Sequence, residues 1–291
     1  MKKILLSATI SLFGLGLTAQ VAENSVLQVK SANVQIGFYS GNSAVSNLSD
    51  FQKLAPNSTF QESDIVGFRA QNSFYGSSGQ TFSVNLVFDK PTSETLSRLN
   101  TEFRFGVSYQ QADIFYLSYG KTNRYRVDTL TSSRSGEQTF IDSVYSQDYN
   151  LSYTQRHVMV DADVVISTNP NKRWKFYGGV GLSLGLSVAP YTTISYDTRS
   201  NVEEQDRSNN GFNSDFEYEN TEERFRNDGG FFGRVYLPIG VDFRVGKRKE
   251  SLKKYHLFSE SRPSLTFQCV PELNMISTTA NVTSFGLRYD F

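Results

Sequence analysis

Cysteine is all but absent. Cys269 is the only one in 291 residues, so no disulfide framework within the chain can hold the fold. Histidine is nearly as scarce, with His157 and His256 alone. No Cys/His cluster has zinc-ligand spacing, so a metal site of that kind is excluded. Neither sign of charge is in excess, with 29 Lys and Arg balancing 29 Asp and Glu. Polyanion partners favour a net basic chain, so no nucleic-acid partner is expected. Beyond the first residues there is no apolar run of the roughly 20 residues that a transmembrane helix needs. Any residence in a membrane must come from strands.

What the chain does have is aromatic residues. Phe and Tyr number 23 and 16, while hydrophobic residues as a class reach only 38%. Low hydrophobicity with many aromatics suits strands that show lipid at one residue and a polar lumen at the next. The N-terminus reads as an export signal: Lys2 and Lys3, an apolar stretch Ile4 to Leu17, and a cleavage point after Ala19. No Cys follows the junction, so no lipid anchor is expected there. The expected organisation is a signal peptide at 1–19 and one barrel domain at 20–291.

Alternation with period two is the dominant pattern. From Trp174 to Val188, residues Trp174, Phe176, Val180, Leu182, Leu184, Leu186 and Val188 share one face, with Gly178 the exception. Lys175, Tyr177, Gly179, Gly181, Ser183, Gly185 and Ser187 share the other. A soluble strand usually runs about five or six residues. This one is long enough for a tilted transmembrane strand of roughly 9–11 residues that continues past the bilayer. Seven further segments alternate around Ile36, Val84, Phe105, Val160, Ile239, Leu265 and Leu287. The seventh strand is placed from Leu265 to Met275, with Gly246 to Arg262 as the link before it and Ser277 to Asn281 as the link after it.

The connections alternate between long and short, as outer loops and periplasmic turns do in outer-membrane barrels. Phe88, Phe103, Trp174, Phe243 and Phe291 fall at periplasmic strand ends, and Phe38, Phe82, Tyr109 and Phe231 at outer ends. Such girdles favour the interfacial zone. The expected fold is therefore all-β: a closed antiparallel transmembrane meander barrel of eight strands with long extracellular loops. Tyr125 to Leu130 and Thr139 to Tyr145 read as an extracellular hairpin continuing strands three and four, or else as two more barrel strands, giving ten. Asn47 to Ala55 reads as a helical turn or two capping a loop, with Leu48, Phe51 and Leu54 on one side.

With the signal segment, the alternating strands and the ending Phe285-Gly286-Leu287-Arg288-Tyr289-Asp290-Phe291, the chain resembles small outer-membrane barrels of the OmpA/OmpX type. The resemblance implies residence in the cell outer membrane and recognition of the strand ending at Phe291 by the barrel-assembly machinery. Other partners expected are outer-membrane lipid and an extracellular ligand or protein at the loops.

The alternation also lists the inward face. It holds Glu102, Asp161, Asp163, Asp242, Glu272 and Asp290 with Arg104, Lys175, Arg234, Arg244 and Arg288. An eight-stranded barrel is only wide enough for its side chains, and charge-assisted bonds among these groups would plug the lumen. His157 faces inward near the outer strand end, with Asp161 four residues along. This is the one place where acyl-transfer or hydrolase chemistry is conceivable. No catalytic, cofactor or metal site is expected, although the acidic third outer loop, from Asp197 to Asp228, could attract a divalent cation. His256 and the basic residues Lys247, Arg248, Lys249, Lys253 and Lys254 are placed in a periplasmic link, where they could meet anionic envelope polymers. Pro238 and Pro271, placed inside paired strands six and seven, should each make a bulge or a gap, because proline lacks the ladder N–H. That is either a local irregularity or a lateral gate for a lipid chain. The expected function is non-enzymatic: envelope structure or surface interaction through the loops. The alternatives are a lipid-modifying enzyme around His157 and a small-solute channel.

Overall fold

A computed structural model describes residues 27–42, 47–71, 76–89, 99–134, 136, 138–168, 172–204, 217–246, 249–273 and 275–291. The expected signal peptide, the Asn169-Pro170-Asn171 turn, Lys247 and Arg248, and residues 205–216 of the third outer loop lie outside them.

Eight strands close a ring. In chain order they are β1 (Gln28–Asn42), β3 (Gly76–Asp89), β4 (Leu99–Thr131), β5 (Gln138–Thr168), β6 (Trp174–Ser187), the pair β9 (Phe231–Tyr236) and β10 (Ile239–Arg244), β11 (Tyr255–Gln268) and β12 (Ile276–Asp290). Each pairs antiparallel with the next, and β12 returns to β1 from Ser31↔Asp290 to Gly41↔Ala280. β9 and β10 both lie between β6 and β11, so they form one strand of the ring. The hairpin across Tyr125 and Tyr145 belongs to β4 and β5, which run far beyond the barrel. The count is eight, not ten.

The outward face is apolar and the inward face polar, as the alternation requires. Phe176, Val180, Leu182, Leu184 and Leu186 are exposed, while Lys175 and Ser183 are buried. A soluble barrel would bury the first set inside. This one offers it to lipid, and it is an outer-membrane barrel. Aromatic rings line the periplasmic rim of the belt: Trp174 packs on Phe243 at 4.5 Å, and Tyr289 bridges Tyr255 and Phe291. Inward glycines make room for large inward rings. A Cβ on Gly181 would meet Tyr236 at 2.4 Å, one on Gly240 would meet Tyr177 at 2.4 Å, and one on Gly286 would meet Phe258 at 2.3 Å. Each ring lies across bare backbone of the neighbouring strand, a fit that also pins register.

The seventh strand departs from expectation. It begins at Tyr255 and ends at Gln268. Leu273 and Met275 lie in the outer turn beyond it, and Ser277 to Asn281 belong to β12. The expected link shrinks to a short connection holding helix α2 (Glu250–Lys253). The apolar alternation fails here because outward Ser259, Ser261 and Pro263 interrupt it. His256 is therefore a buried lumen residue. Glu272, expected in the lumen, sits in the outer turn and accepts from the Asp228 amide. Arg244 is half-buried at the periplasmic end, donating to the Lys172 carbonyl.

The prolines are also corrected. Pro271 lies outside the ladder, and Pro263 of β11 takes its place. Register runs without insertion from Tyr236↔Ser264 to Ile239↔Ser261, so there is no bulge at Pro238. The Leu237 amide donates to the Pro263 carbonyl and the Gly179 amide to the Pro238 carbonyl, both at 3.0 Å. Each proline costs only its own missing N–H. Buried Tyr236, Glu260 and Arg262 occupy the lumen beside this stretch, not an apolar cavity, so no lateral gate stands there.

Candidate functional site

The lumen is built as layers of paired charge. Register places Arg104 beside Asp163, Asp242 beside Lys175, and His256 beside Arg288. In the lower layer Arg288 makes a bidentate contact with Glu102 at 3.0 and 3.2 Å, and Lys30 bridges Glu102 and Asp89, each at 2.9 Å. His256 holds Asp242 at 2.6 Å through Nδ1 and Asp290 at 3.3 Å through Nε2. In the middle layer Glu260 accepts from Arg104 at 2.7 Å and from Arg262, while Asp163 accepts from Arg104 at 2.5 Å and from the Tyr236 hydroxyl at 3.0 Å. Glu260 and Arg262 were absent from the sequence-based inward set because their strand began too late. Above, Arg234 donates to Gln110 at 3.1 Å and to Ser183 at 3.3 Å.

His157 and Asp161 are both buried in this upper layer, yet they do not form a relay. The imidazole packs on Phe232 at 4.3 Å, and neither ring nitrogen nor either Asp161 oxygen has a hydrogen-bond partner. A nucleophile–base–acid chain needs those bonds. Among the described residues no group of three or more His, Cys, Asp or Glu could hold a metal ion.

Polarity inverts above the membrane. The inward residues there are apolar: Tyr39, Ala112, Phe115, Leu151, Tyr153, Ile194 and Val282 form one buried cluster. Helix α1 (Leu48–Leu54) closes it from the first outer loop, burying Phe51 and Leu54 and packing Leu48 against the rest. Asn47 caps it, accepting from the Asp50 amide while the Asp50 carboxylate accepts from the Asn47 amide. At its other end the Leu54 carbonyl accepts from Asn227 at 2.6 Å. The loop-capping helix expected from Leu48, Phe51 and Leu54 is in place, and it stoppers the mouth.

On one side of the mouth the wall keeps rising. β4 and β5 continue to Thr131 and Gln138. β7 (Tyr191–Glu204) pairs with β5, and β8 (Glu217–Arg226) with β7, making a four-stranded extracellular sheet. One face carries the row Tyr119, Tyr149, Tyr196 and Thr221. There Tyr149 stacks on Tyr196 at 4.5 Å and meets Phe60 and Phe68 of the first loop at 5.0 and 5.4 Å. Strand β2 (Arg69–Ala70) of that loop pairs with β4. The other face is polar, with Asp197 accepting from Asn150, Tyr218 and Asn220. Among the described residues β8 has no strand on its far side. An open hollow of about 500 Å³ in the first loop is lined by Gln52, Pro56, Ser58, Phe60 and Gln61 among others.

Glu223 of β8 fastens that loop, accepting from the Ser58 hydroxyl at 2.6 Å and from the Thr59 hydroxyl and amide. These bonds hold its carboxyl below the ordinary 4.5. A depressed carboxyl stabilises above its free value and loses that contribution as pH falls through the bound value. Loop docking should therefore be complete above about pH 4.5 and fade below it. A spin label at Gln61→Cys, on a Cys269→Ser background, should gain mobility on acidification. Glu223→Gln should show raised mobility already at neutral pH; an unchanged spectrum in that variant would contradict the link.

No family model matches the chain, and no curated protein matches it. Among solved structures it is similar to Neisserial surface protein A, with 10% identity over 92% of this chain and 100% of that one and a TM-score of 0.33. It is similar to Ail, the attachment invasion locus protein of Yersinia pestis, with 8% identity over 91% of this chain and 100% of that one, at 0.25. The translocator domain of the autotransporter NalP from Neisseria meningitidis has 7% identity over 100% of this chain and 98% of that one, at 0.22.

Proposed function

We propose that the protein is a non-enzymatic surface-interaction barrel of the OmpA/OmpX type, with a blocked lumen and an extracellular sheet as its working part. One observation carries this reading: the chain carries β4 and β5 far past the length that crossing a bilayer needs, adds β7 and β8 beside them, and, among the described residues, leaves β8 as an open edge. An open edge can accept an added strand, and its many charges guard it against indiscriminate pairing. Conduction and lipid chemistry are disfavoured by the packed lumen and by the unpartnered His157 and Asp161. Insertion through the assembly machinery by the strand ending at Phe291, and contact with outer-membrane lipid, belong to the same reading.

Replacing residues 192–225 with a short Gly-Ser linker removes most of β7 and β8 and leaves all eight ring strands. Vesicles carrying the intact protein should bind members of a panel of immobilised matrix proteins and glycans. The shortened form should insert at comparable yield and lose that binding. Equal binding by the shortened form, no binding by the intact one, or stepwise conductance of the intact protein in planar bilayers would overturn the proposal.

A further inference from the structure

The outer rim of the lipid belt changes character on one side. Val158, Leu186 and Phe231 occupy successive positions in one outward row with Tyr109. Two residues further along β5 stands Arg156. The next outward row aligns Thr154, Tyr191 and Arg226, and the row above aligns Ser152, Thr193 and Arg224. At about 3.4 Å per residue, less once the strands tilt, Arg156 lies within roughly 7 Å of the belt and Arg226 within roughly 14 Å. Long arginine stems can reach back toward the interface. This is the headgroup level of the outer leaflet.

Two of these arginines meet on one ring, that of Tyr191, which pairs with Arg226 across the β7–β8 register. The Arg224 guanidinium sits 3.7 Å from the Tyr191 centroid and that of Arg156 sits 5.9 Å from it. Among the described residues none of the three has a carboxylate within ion-pair distance. The Nε of Arg156 is buried with no hydrogen-bond partner. Of the acids around these rows, Asp113 already accepts from the Thr154 hydroxyl at 2.6 Å, Glu222 is one row further from the membrane, and Asp228 follows Arg226 in the turn to β9. The outward rim positions Ser40, Gln80, Gln111 and Thr279 are uncharged. In the row beneath Arg156, Leu186 and Phe231 expose apolar surface.

We propose that Arg156, Arg224 and Arg226, set around Tyr191, bind the phosphate of an anionic outer-leaflet lipid, with its acyl chains lying on Leu186 and Phe231. Guanidinium groups match phosphate bidentately, and stacking on Tyr191 holds Arg224 in place before the lipid arrives. A free phosphate would satisfy the charge but leave the apolar strip below unused. The site therefore discriminates for a molecule with both parts.

The test is a titration of the full-length mature protein, folded in a zwitterionic detergent, with bisphosphorylated lipid A, read as bound lipid by native mass spectrometry. At about 1 kcal/mol for each basic residue at a membrane surface, the triple variant R156Q/R224Q/R226Q should bind roughly 100-fold more weakly. The triple lysine variant, which keeps the charge but not the bidentate fork, should keep only part of the affinity, and Arg199→Gln, higher on the sheet, should keep all of it. Each variant is first checked for the folded, heat-modifiable gel band. Equal lipid retention by the folded triple glutamine variant would overturn the proposal. So would displacement of the lipid by inorganic phosphate at equal concentration, which would mean that charge alone is being read.

Discussion

Glu260→Ala should be among the most damaging single substitutions in the barrel, lowering stability by about 3–5 kcal/mol. The carboxylate is about 1% exposed and is the shared acceptor of Arg104 and Arg262. Removing it leaves Arg104 with Asp163 and strips Arg262 of its only ion-pair partner among the described residues. An uncompensated charge in a dry interior is costly, whereas replacing the whole pair is not. The double variant Glu260→Leu/Arg262→Leu should therefore recover much of the loss. Denaturant titration in lipid vesicles, followed by the folded and unfolded gel bands, reads both. The experiment also discriminates between plug and channel. Water filling the lumen would screen these charges, and the single substitution would then cost under about 1 kcal/mol, as exposed pairs do.

The ring of strands was legible because lipid imposes a strict rule. Outward positions at belt depth are mostly apolar, so the period-two pattern is nearly unbroken from Trp174 to Leu186. Where the rule relaxes, so does the signal. In β11 outward Ser259, Ser261 and Pro263 erased the alternation, and the strand was placed to start at Leu265 instead of Tyr255. His256, Glu260 and Arg262 were lost from the lumen with it. β7 and β8 stand in water on one face and against a loop on the other, so no lipid enforces apolar residues there. The residual signal was β propensity alone, in Tyr191-Thr192-Thr193-Ile194-Ser195-Tyr196.

The site was less legible than the fold. Helix α1 was readable, because Leu48, Phe51 and Leu54 have helical spacing and Asn47 is a good N-cap. The arginines around Tyr191 were not. Arg156 is on β5, whereas Arg224 and Arg226 are on a strand nearly seventy residues later whose existence the pattern did not show. They meet only through the β5–β7–β8 register. Pro263 was missed for a related reason: its partner across the ladder, Leu237, is fixed by pairing and not by neighbouring sequence.

Val180→Arg should destabilise the barrel in lipid vesicles by about 2–4 kcal/mol. The side chain is 59% exposed and points outward. It stands midway along β6 between Trp174 in the periplasmic girdle and Leu186 at the outer rim, so a guanidinium there lies near the bilayer midplane, too far from either interface to snorkel without thinning the membrane. Val188→Arg, on the same outward face beyond Leu186, should cost only about 0–1 kcal/mol, because its charge is already at headgroup depth. The difference between the two, and not either value alone, is the measurement. The same surface in water would tolerate both, since exposed substitutions away from special features usually fall within about 0.5 kcal/mol of neutral. A register shifted by one residue would turn Val180 toward Tyr177 and Gly181 in the crowded lumen, and the cost would then follow packing, not depth. Equal costs at positions 180 and 188 would therefore argue against the belt as drawn, and a steep fall from the first to the second would fix both the depth of β6 and the face it presents to lipid.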